Sequence, residues 1–407
     1  MFEMEGTVTL SVSYPKGIKS AVIRPSRAGL TPMISGSDVT FEITEWGQYT
    51  VEFNGDPETD ALIIFANPPM KEFPANARII NGRLNQDLSI GDNETVYLAP
   101  GAVVAGKVYM GNNSKLTGRG IITGSAPAAI EVHNKRNVTI EGVTILDPKR
   151  WVVELRDCDG VTLENVKIIS ARNNGDGITV QSSRNININK CFIRSWDDGI
   201  VLKNYTENNC RNINVTNCVL WTDLAQSLEI GFETNKGRTG REELSPNKDP
   251  RIHDIIFENI DIIHNFHKAP VSIHNADNCR IYNIKFKNIT IDNAVMGEPG
   301  KYSEGGGWPY LLDFGNGHSG DMGGANGWTH NEGYREIKDV SVENIRITGG
   351  KLSSCGARFV NRDSGGKSVM ENIQLKNICF QGELIDYNAI IDEASLTGKI
   401  TQTDVKI

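Results

Sequence analysis

One nine-residue pattern recurs eight times in this chain and limits what it can fold into. Asn137-Val-Thr-Ile-Glu-Gly-Val-Thr-Ile145 is echoed by Gly160-Val-Thr-Leu-Glu-Asn-Val-Lys-Ile168, by Asn185 to Ile193 and by Asn212 to Leu220. Further copies start at Asp254, Asn283, Asp339 and Asn372. Apolar residues alternate at period two, which specifies strands and not helices. The copies start 23, 25, 27, 42, 29, 56 and 33 residues apart. A short core unit with occasional insertions is the signature of a solenoid. Each unit holds a second strand, such as Gly177-Ile-Thr-Val180, Gly199-Ile-Val-Leu202 or Val271-Ser-Ile273. Short strands between Gly, Asn and Asp turns, with no helical pattern among them, predict an all-β chain built as a parallel β-helix.

One column of the repeat supports stacking. Asn165, Asn217, Asn259, Asn288, Asn344 and Asn377 fall at the same place in six of the eight copies. Asn tolerates the left-handed backbone of a tight turn, and amides stacked in register can hydrogen-bond along the column. This is a structural ladder, not chemistry.

Residues 1–68 follow another rule. Thr7–Tyr14, Ala21–Arg24, Val39–Ile43, Tyr49–Phe53 and Leu62–Phe65 read as short strands separated by Pro, Gly and Asn turns. They predict a small N-terminal β-sandwich. Residues 69–94 are the expected linker and solenoid cap, and 95–407 the β-helix.

The chemistry lies in two acidic motifs, Asn173-Asn-Gly-Asp-Gly177 and Ser195-Trp-Asp-Asp-Gly199. Asp176 and Asp197 are 21 residues apart, about one repeat. If each repeat is one coil, Asp176 and the Asp197/Asp198 pair stack on one face. Like charges held close push one carboxyl toward its neutral form. One group can then protonate a leaving oxygen while its neighbours polarise water. A lone Asp-Gly is ordinary turn chemistry, which is the reading for Asp157-Cys-Asp-Gly160.

The formal charge is −8, and no Lys/Arg run or basic-aromatic stripe appears, so nucleic acid is not an expected partner. No run of eighteen apolar residues predicts a membrane span. No signal peptide is visible, which implies a cytoplasmic protein, or a secreted one whose leader was removed. Cys191 and Cys218 take inward strand positions and read as buried thiols. No Cys/His spacing suggests a metal, and no cofactor is expected.

The Asn-Asn-Gly-Asp176, Asp197-Asp198 and Lys203 arrangement resembles the polygalacturonase clan, comprising glycoside hydrolase family 28 and the related family 49 of dextranases and isopullulanases. The resemblance covers the chain from about residue 95. It implies a right-handed parallel β-helix and inversion at the anomeric carbon. It also implies Asp197 as general acid, with Asp176 and Asp198 holding and activating the water. The N-terminal sandwich, with Trp46-Gly-Gln-Tyr-Thr-Val-Glu52, looks like the family 49 arrangement.

There are departures. Polygalacturonases carry Gly-His-Gly in the next coil, where this chain has Ser227-Leu-Glu229-Ile-Gly-Phe-Glu233. The Arg-Ile-Lys signature that grips uronate carboxylates is not evident, Arg251-Ile-His253 being the nearest string. Glu229 and Glu233 add negative charge where a polyanion would want cations. The expected substrate is therefore a neutral α-glucan of dextran or pullulan type, with pectin as the alternative because Lys203 is retained.

Lys203, Glu229, Glu233, Trp196, His274, Trp308 and Trp328 are the expected substrate-binding residues. The two tryptophans at 308 and 328 belong to a Gly-rich insertion, 296–335, whose aromatics can stack on sugars or pack on the solenoid. Two other readings remain. One is a Ca²⁺-dependent polysaccharide lyase using the same carboxylates. The other is a non-catalytic sugar-binding solenoid.

Overall fold

The computed structural model describes residues 1–70, 74–124, 128–236, 247–297, 308–317, 333–361 and 368–387. The chain forms two compact units, Met1–Phe73 and Pro74–Ile407. In the first, a four-stranded sheet holds Phe2–Glu3, Ala61–Asn67, Gly47–Phe53 and Ala21–Arg24, and a three-stranded sheet holds Val8–Ser13, Asp38–Ile43 and Met33–Ser35. Ile23 and Val51 from one sheet and Val39, Phe41 and Ile43 from the other share one apolar core, so the two sheets pack as a sandwich.

The second unit is a stack of parallel coils beginning at Arg78–Ile80, which pairs with Thr95–Leu98. Each coil adds one strand to a ten-stranded parallel sheet and the rest to a nineteen-stranded one. Within the coils the apolar positions line up. Val138, Val161, Ile186, Ile213, Ile255, Ile284, Val340 and Ile373 are register partners down one column. All are buried. Each such side chain contributes about 1.5–3 kcal/mol by leaving water. Phe257 stacks flat on Phe286, with centroids 5.0 Å apart. Beyond residue 250 the strands of the larger sheet fuse into long ones, Arg251–Asn265, Arg280–Ile291, Arg335–Ile347 and Ser368–Phe380.

The asparagine column forms as a ladder. Asn165, Asn217, Asn259, Asn288, Asn344 and Asn377 all have φ between 52° and 57°. Asn288 donates its amide to Asn259 at 3.2 Å, Asn344 to Asn288 at 3.0 Å and Asn377 to Asn344 at 3.0 Å. A second ladder runs along the repeat starts, where Asn137 donates to Asn113 at 2.9 Å and Asn212 to Asn185 at 2.6 Å. Cys191 and Cys218 are buried free thiols. Among the described residues no helix is long and apolar enough to cross a membrane.

Candidate active site

Parallel register places the acidic motifs. Ile178 pairs with Ile200 and Ile200 with Leu228. The Gly177 N–H donates to the Asp198 carbonyl at 2.8 Å, and the Gly199 N–H to the Gln226 carbonyl at 2.8 Å. Asp176, Asp198 and Gln226 therefore occupy one column in three successive coils. One coil earlier, the Val152 N–H donates to the Asp176 carbonyl at 2.9 Å, which puts Trp151 at the head of that column.

The glycine after each aspartate has a steric cause. A Cβ at Gly177 would lie 2.4 Å from the Ile193 side chain and 2.5 Å from the Gly199 carbonyl oxygen. A Cβ at Gly199 would lie 2.6 Å from the Ser227 carbonyl oxygen. Only glycine lets the coils close here, so each Asp-Gly pair combines a carboxylate with the residue that permits its stacking.

The turn carrying Asp197 and Asp198 is held from both sides. Ser195 Oγ donates to the Asp197 carbonyl at 2.8 Å, and the Asp198 N–H to Asp197 Oδ1 at 3.1 Å. From the next coil, Asp223 and Leu224 donate main-chain N–H groups to Ser195 and Trp196 carbonyls, both at 2.9 Å. Asp223 also accepts the Trp221 indole N–H at 2.8 Å, and the Arg194 guanidinium lies 4.1 Å from the Trp221 ring centroid.

Asp176 is 2% exposed and Asp198 9%, while Asp197 is only half-buried. Lys203 lies among them, its Nζ 3.6 Å from Asp176 Oδ2 and 3.1 Å from Glu233 Oε2. Lys236 reaches the other Glu233 oxygen at 3.4 Å. Burial pushes Asp176 up to about 7; Lys203 pulls it down, and the charges of Asp197 and Glu233 push it further up. Burial, then Asp197 and Asp176, drive Asp198 well above the carboxylate range. For Lys203 burial opposes the charge, but Glu233 and Asp176 outweigh it and hold the ammonium charged. Glu233 is pulled below its ordinary value against burial by Lys203 and Lys236. The site thus holds a buried cation and a set of carboxyls that retains a proton near neutral pH.

Glu229 and His274 form a second network on the same sheet. Glu229, Ser272 and Asp313 are register partners in successive coils. His274 Nδ1 bonds Glu229 Oε1 at 2.9 Å, and its Nε2 lies 3.2 Å from Asp313 Oδ2. Ser272 Oγ donates to Glu229 as well. Arg358 Nε donates to Asp313 at 2.7 Å. Both Glu229 and His274 are fully buried. Burial opposes the imidazolium, yet Glu229 and Asp313 raise His274 to about 9.

The structure brings Asp176, Asp197, Asp198, Lys203 and Glu233 together. Glu229 and His274 are one coil or two beyond, bonded to each other. Trp196 is half-buried on the Asp197 turn. Trp308 is half-buried, with Arg358 4.7 Å and Lys268 5.5 Å from its ring centroid. Trp328 lies outside the described residues. Arg251-Ile-His253 opens a strand of the larger sheet, away from the aspartate column. Reading the sequence missed Trp151, whose ring centroid is 5.5 Å from Lys203 Nζ. It also missed Lys236, Asp313 and Gln226. The available signal was position: Trp151 precedes Val152-Val153 as Asp176 precedes Gly177-Ile178. Among the described residues no group of three or more His, Cys, Asp or Glu is disposed to hold a metal ion.

Residues 91–223, which carry both aspartate motifs and Lys203, match the model of Glycosyl hydrolases family 28. A probable polygalacturonase of Arabidopsis thaliana is 32% identical over 91 residues, covering 22% of this chain and 20% of that protein. An endo-polygalacturonase of Pectobacterium carotovorum subsp. carotovorum is 30% identical over 113 residues, covering 27% and 28%. The aligned parts span between 15% and 33% of the curated relatives matched. Among solved structures, Dex49A from Penicillium minioluteum superposes with a TM-score of 0.63 at 14% identity, covering 97% of this chain and 81% of that one. That likeness concerns the fold. The resemblance to the polygalacturonase-like clan read from the motifs holds in these comparisons.

Proposed function

We propose that this chain is an inverting glycoside hydrolase acting on an α-linked polysaccharide of the galacturonan class. The observation that carries the hydrolase reading is the column itself, in which three carboxyls from adjacent coils meet over the buried ammonium of Lys203. In the proposed step the proton that the interacting carboxyls hold in common is delivered through Asp197 to the glycosidic oxygen as the bond to the anomeric carbon breaks, which leaves Asp176 and Asp198 ionised to act on the water. A water held by Asp176 and Asp198 attacks that carbon from the opposite face and passes its proton to the pair. One C–O bond breaks, one forms, and the anomer inverts. Lys203 keeps the pair from accumulating uncompensated negative charge as it prepares the water.

The substrate class rests on the family 28 match across both motifs and on relatives named as polygalacturonases. A neutral α-glucan is the second reading, favoured by one observation: Lys203, Lys236 and Arg358 already have carboxylate partners. Lys203 is engaged by Asp176 and Glu233, Lys236 by Glu233, and Arg358 by Asp313. Lys203 already places one cation beside Asp176 and Glu233, which favours hydrolysis over elimination by a second, divalent cation on the same carboxylates.

Reducing-end release from polygalacturonate, dextran and pullulan in parallel tests the proposal. Wild type is expected to release ends from polygalacturonate without added calcium, and Asp197→Asn to lower kcat by roughly 10²–10⁴-fold. Release from a glucan alone would move the assignment to the second reading. No release from any of the three, or an unaffected variant, would overturn the hydrolase.

A further inference from the structure

Arginines gather on the turn that leads from the smaller sheet to the larger one. Arg136, Arg184 and Arg251 open strands of the larger sheet, and Arg211 is the second residue of another. Asp159 pairs with Arg136 on one side and with Arg184 on the other, Arg184 with Arg211, and Arg211 with His253, so the column crosses successive coils. These residues are scattered in sequence, and no basic run announces them. Strand Ile178–Gln181 and the bend at Ser182 and Ser183 separate the column from Asp176. Two adjoining cavities lie along it. Arg184, Arg211, Arg251, His253 and Glu207 line one of about 290 Å³. The other, of about 250 Å³, shares Arg184, Asn208 and Asn209 with the first and adds Arg136, Asp157 and Asp159. Neither is lined by Asp176, Asp197, Asp198 or Lys203.

The two cavities differ in charge. The larger sets three guanidiniums against one carboxylate, that of Glu207, in a chain whose formal charge is −8. Arg184 is held by Asp159 at 2.8 Å and Arg251 by Asp249, whereas Arg211 is exposed and forms no ion pair among the described residues. Like charges set opposite each other on adjacent strands cost stability, and Arg184 and Arg211 are such a pair. An anion between them removes that cost. The smaller cavity is rich in acceptors. Asp157 takes the Thr206 hydroxyl and the Asn208 amide, the latter at 2.7 Å, both on Oδ1, which leaves Oδ2 for another donor. Guanidiniums grip carboxylates in a fork, and carboxylate oxygens accept hydroxyl protons. A carboxylate pole beside a hydroxyl pole matches an acidic sugar. An inorganic anion needs only the first pole and a neutral glucan only the second.

We propose that this turn column is a second carbohydrate site, separate from the reactive one, that takes a carboxylate-bearing oligosaccharide. The carboxylate of one sugar lies among Arg184, Arg211 and Arg251, and hydroxyls of the neighbouring sugar donate to Asp157. Coils are about 4.8 Å apart, on the order of one sugar unit, so adjacent coils meet adjacent units of one chain. The inference deepens the proposed function and rests on its galacturonan class. Holding one stretch of a polymer at this column raises the effective concentration of the rest at the aspartates.

Calorimetric titration with a galacturonate tetramer tests this in the Asp197→Asn chain, which does not consume the ligand. Two tetramers are expected to bind per chain, and one when Arg211→Glu is added. Arg211→Lys in the same background keeps the charge without the fork, so both sites should remain with the second weakened roughly 3- to 10-fold. Rising salt should weaken the second site more than the first, because its cations are exposed and Lys203 is buried. A single bound tetramer that Arg211→Glu leaves in place would overturn the proposal. So would a neutral glucan tetramer that fills the second site as tightly, or no binding at all. A single bound tetramer that Arg211→Glu abolishes would keep this site and instead sink the galacturonan reading of the aspartate column.

Discussion

The two sheets of the solenoid share one core but treat their outward faces differently. On the larger sheet the exposed turn positions repeat the same residue in coil after coil, so Asn259, Asn288, Asn344 and Asn377 bond to their own kind. On the smaller sheet the outward column reads Glu154, Thr179, Val201, Glu229, Ser272, Asp313 and Arg358, each coil different from the last. The inward residues of both sheets remain apolar, mostly Val, Ile, Leu and Phe. Where neighbouring coils present the same side chain, the column serves the stack. Where they present different side chains above an unchanged core, packing does not explain the choice, and the residues answer to one another or to a ligand.

His274 tests how far the varied face is committed to its own network. Glu229 and Asp313 are buried and share this imidazolium. Removing one partner of a buried ionic group leaves charge uncompensated, at a cost of about 3–5 kcal/mol. Urea unfolding of His274→Ala at pH 6 should show a loss of that order. The folded pKa of His274, about 9, is raised above the ordinary 6.5. Its contribution is therefore complete below pH 6.5 and lost as pH rises through about 9. The gap between variant and wild type should narrow over that window. A constant gap would mean that His274 packs against Phe232, its stacked neighbour at 4.3 Å, without carrying charge.

Asp176 gives a test of opposite sign on the same face. Burial raises its pKa from 3.8 to about 7, with Lys203 opposing. The stability associated with its neutral form is complete below pH 3.8 and is lost as pH rises through about 7. Asp176→Asn is neutral at every pH and should be more stable than wild type at pH 8 by roughly 2–4 kcal/mol, with little difference at pH 4. It should also be inactive. A variant less stable at pH 8 would show that the ion pair with Lys203 outweighs burial. Gain of stability with loss of activity would mark the column as strained for function.

Much of this contrast was legible in the sequence because period-two alternation specifies a strand in any register. Asn in one column needs no partner identity to be recognised. The varied face was less legible for a reason of register. Glu229 and His274 are 45 residues apart and meet only because Leu228 pairs with Val271 across a long insertion. Nothing local in Ser272-Ile-His274 announces that partner. Asp176, Asp197 and Asp198 were readable because no insertion separates their coils. Trp151 was hidden because a tryptophan between Arg150 and Val152 looks like any turn residue until the Val153–Ile178 pairing places it above Asp176.

The repeating face carries the smallest effect and the sharpest control. Asn288 accepts from Asn344, donates to Asn259 and holds φ at 55°. Alanine there loses two exposed or half-buried amide bonds and meets the left-handed backbone with a Cβ. Together these should cost about 1–2 kcal/mol. Glycine loses the same bonds but accepts the backbone freely, so Asn288→Gly should recover part of that loss. Neither variant should change kcat/KM, since the ladder belongs to the nineteen-stranded sheet and the aspartate column heads strands of the ten-stranded one. If glycine and alanine destabilise equally, the amide bonds alone hold the ladder. If glycine restores wild-type stability, the asparagines are there for their backbone, and the hydrogen bonds between them are a consequence of stacking identical turns.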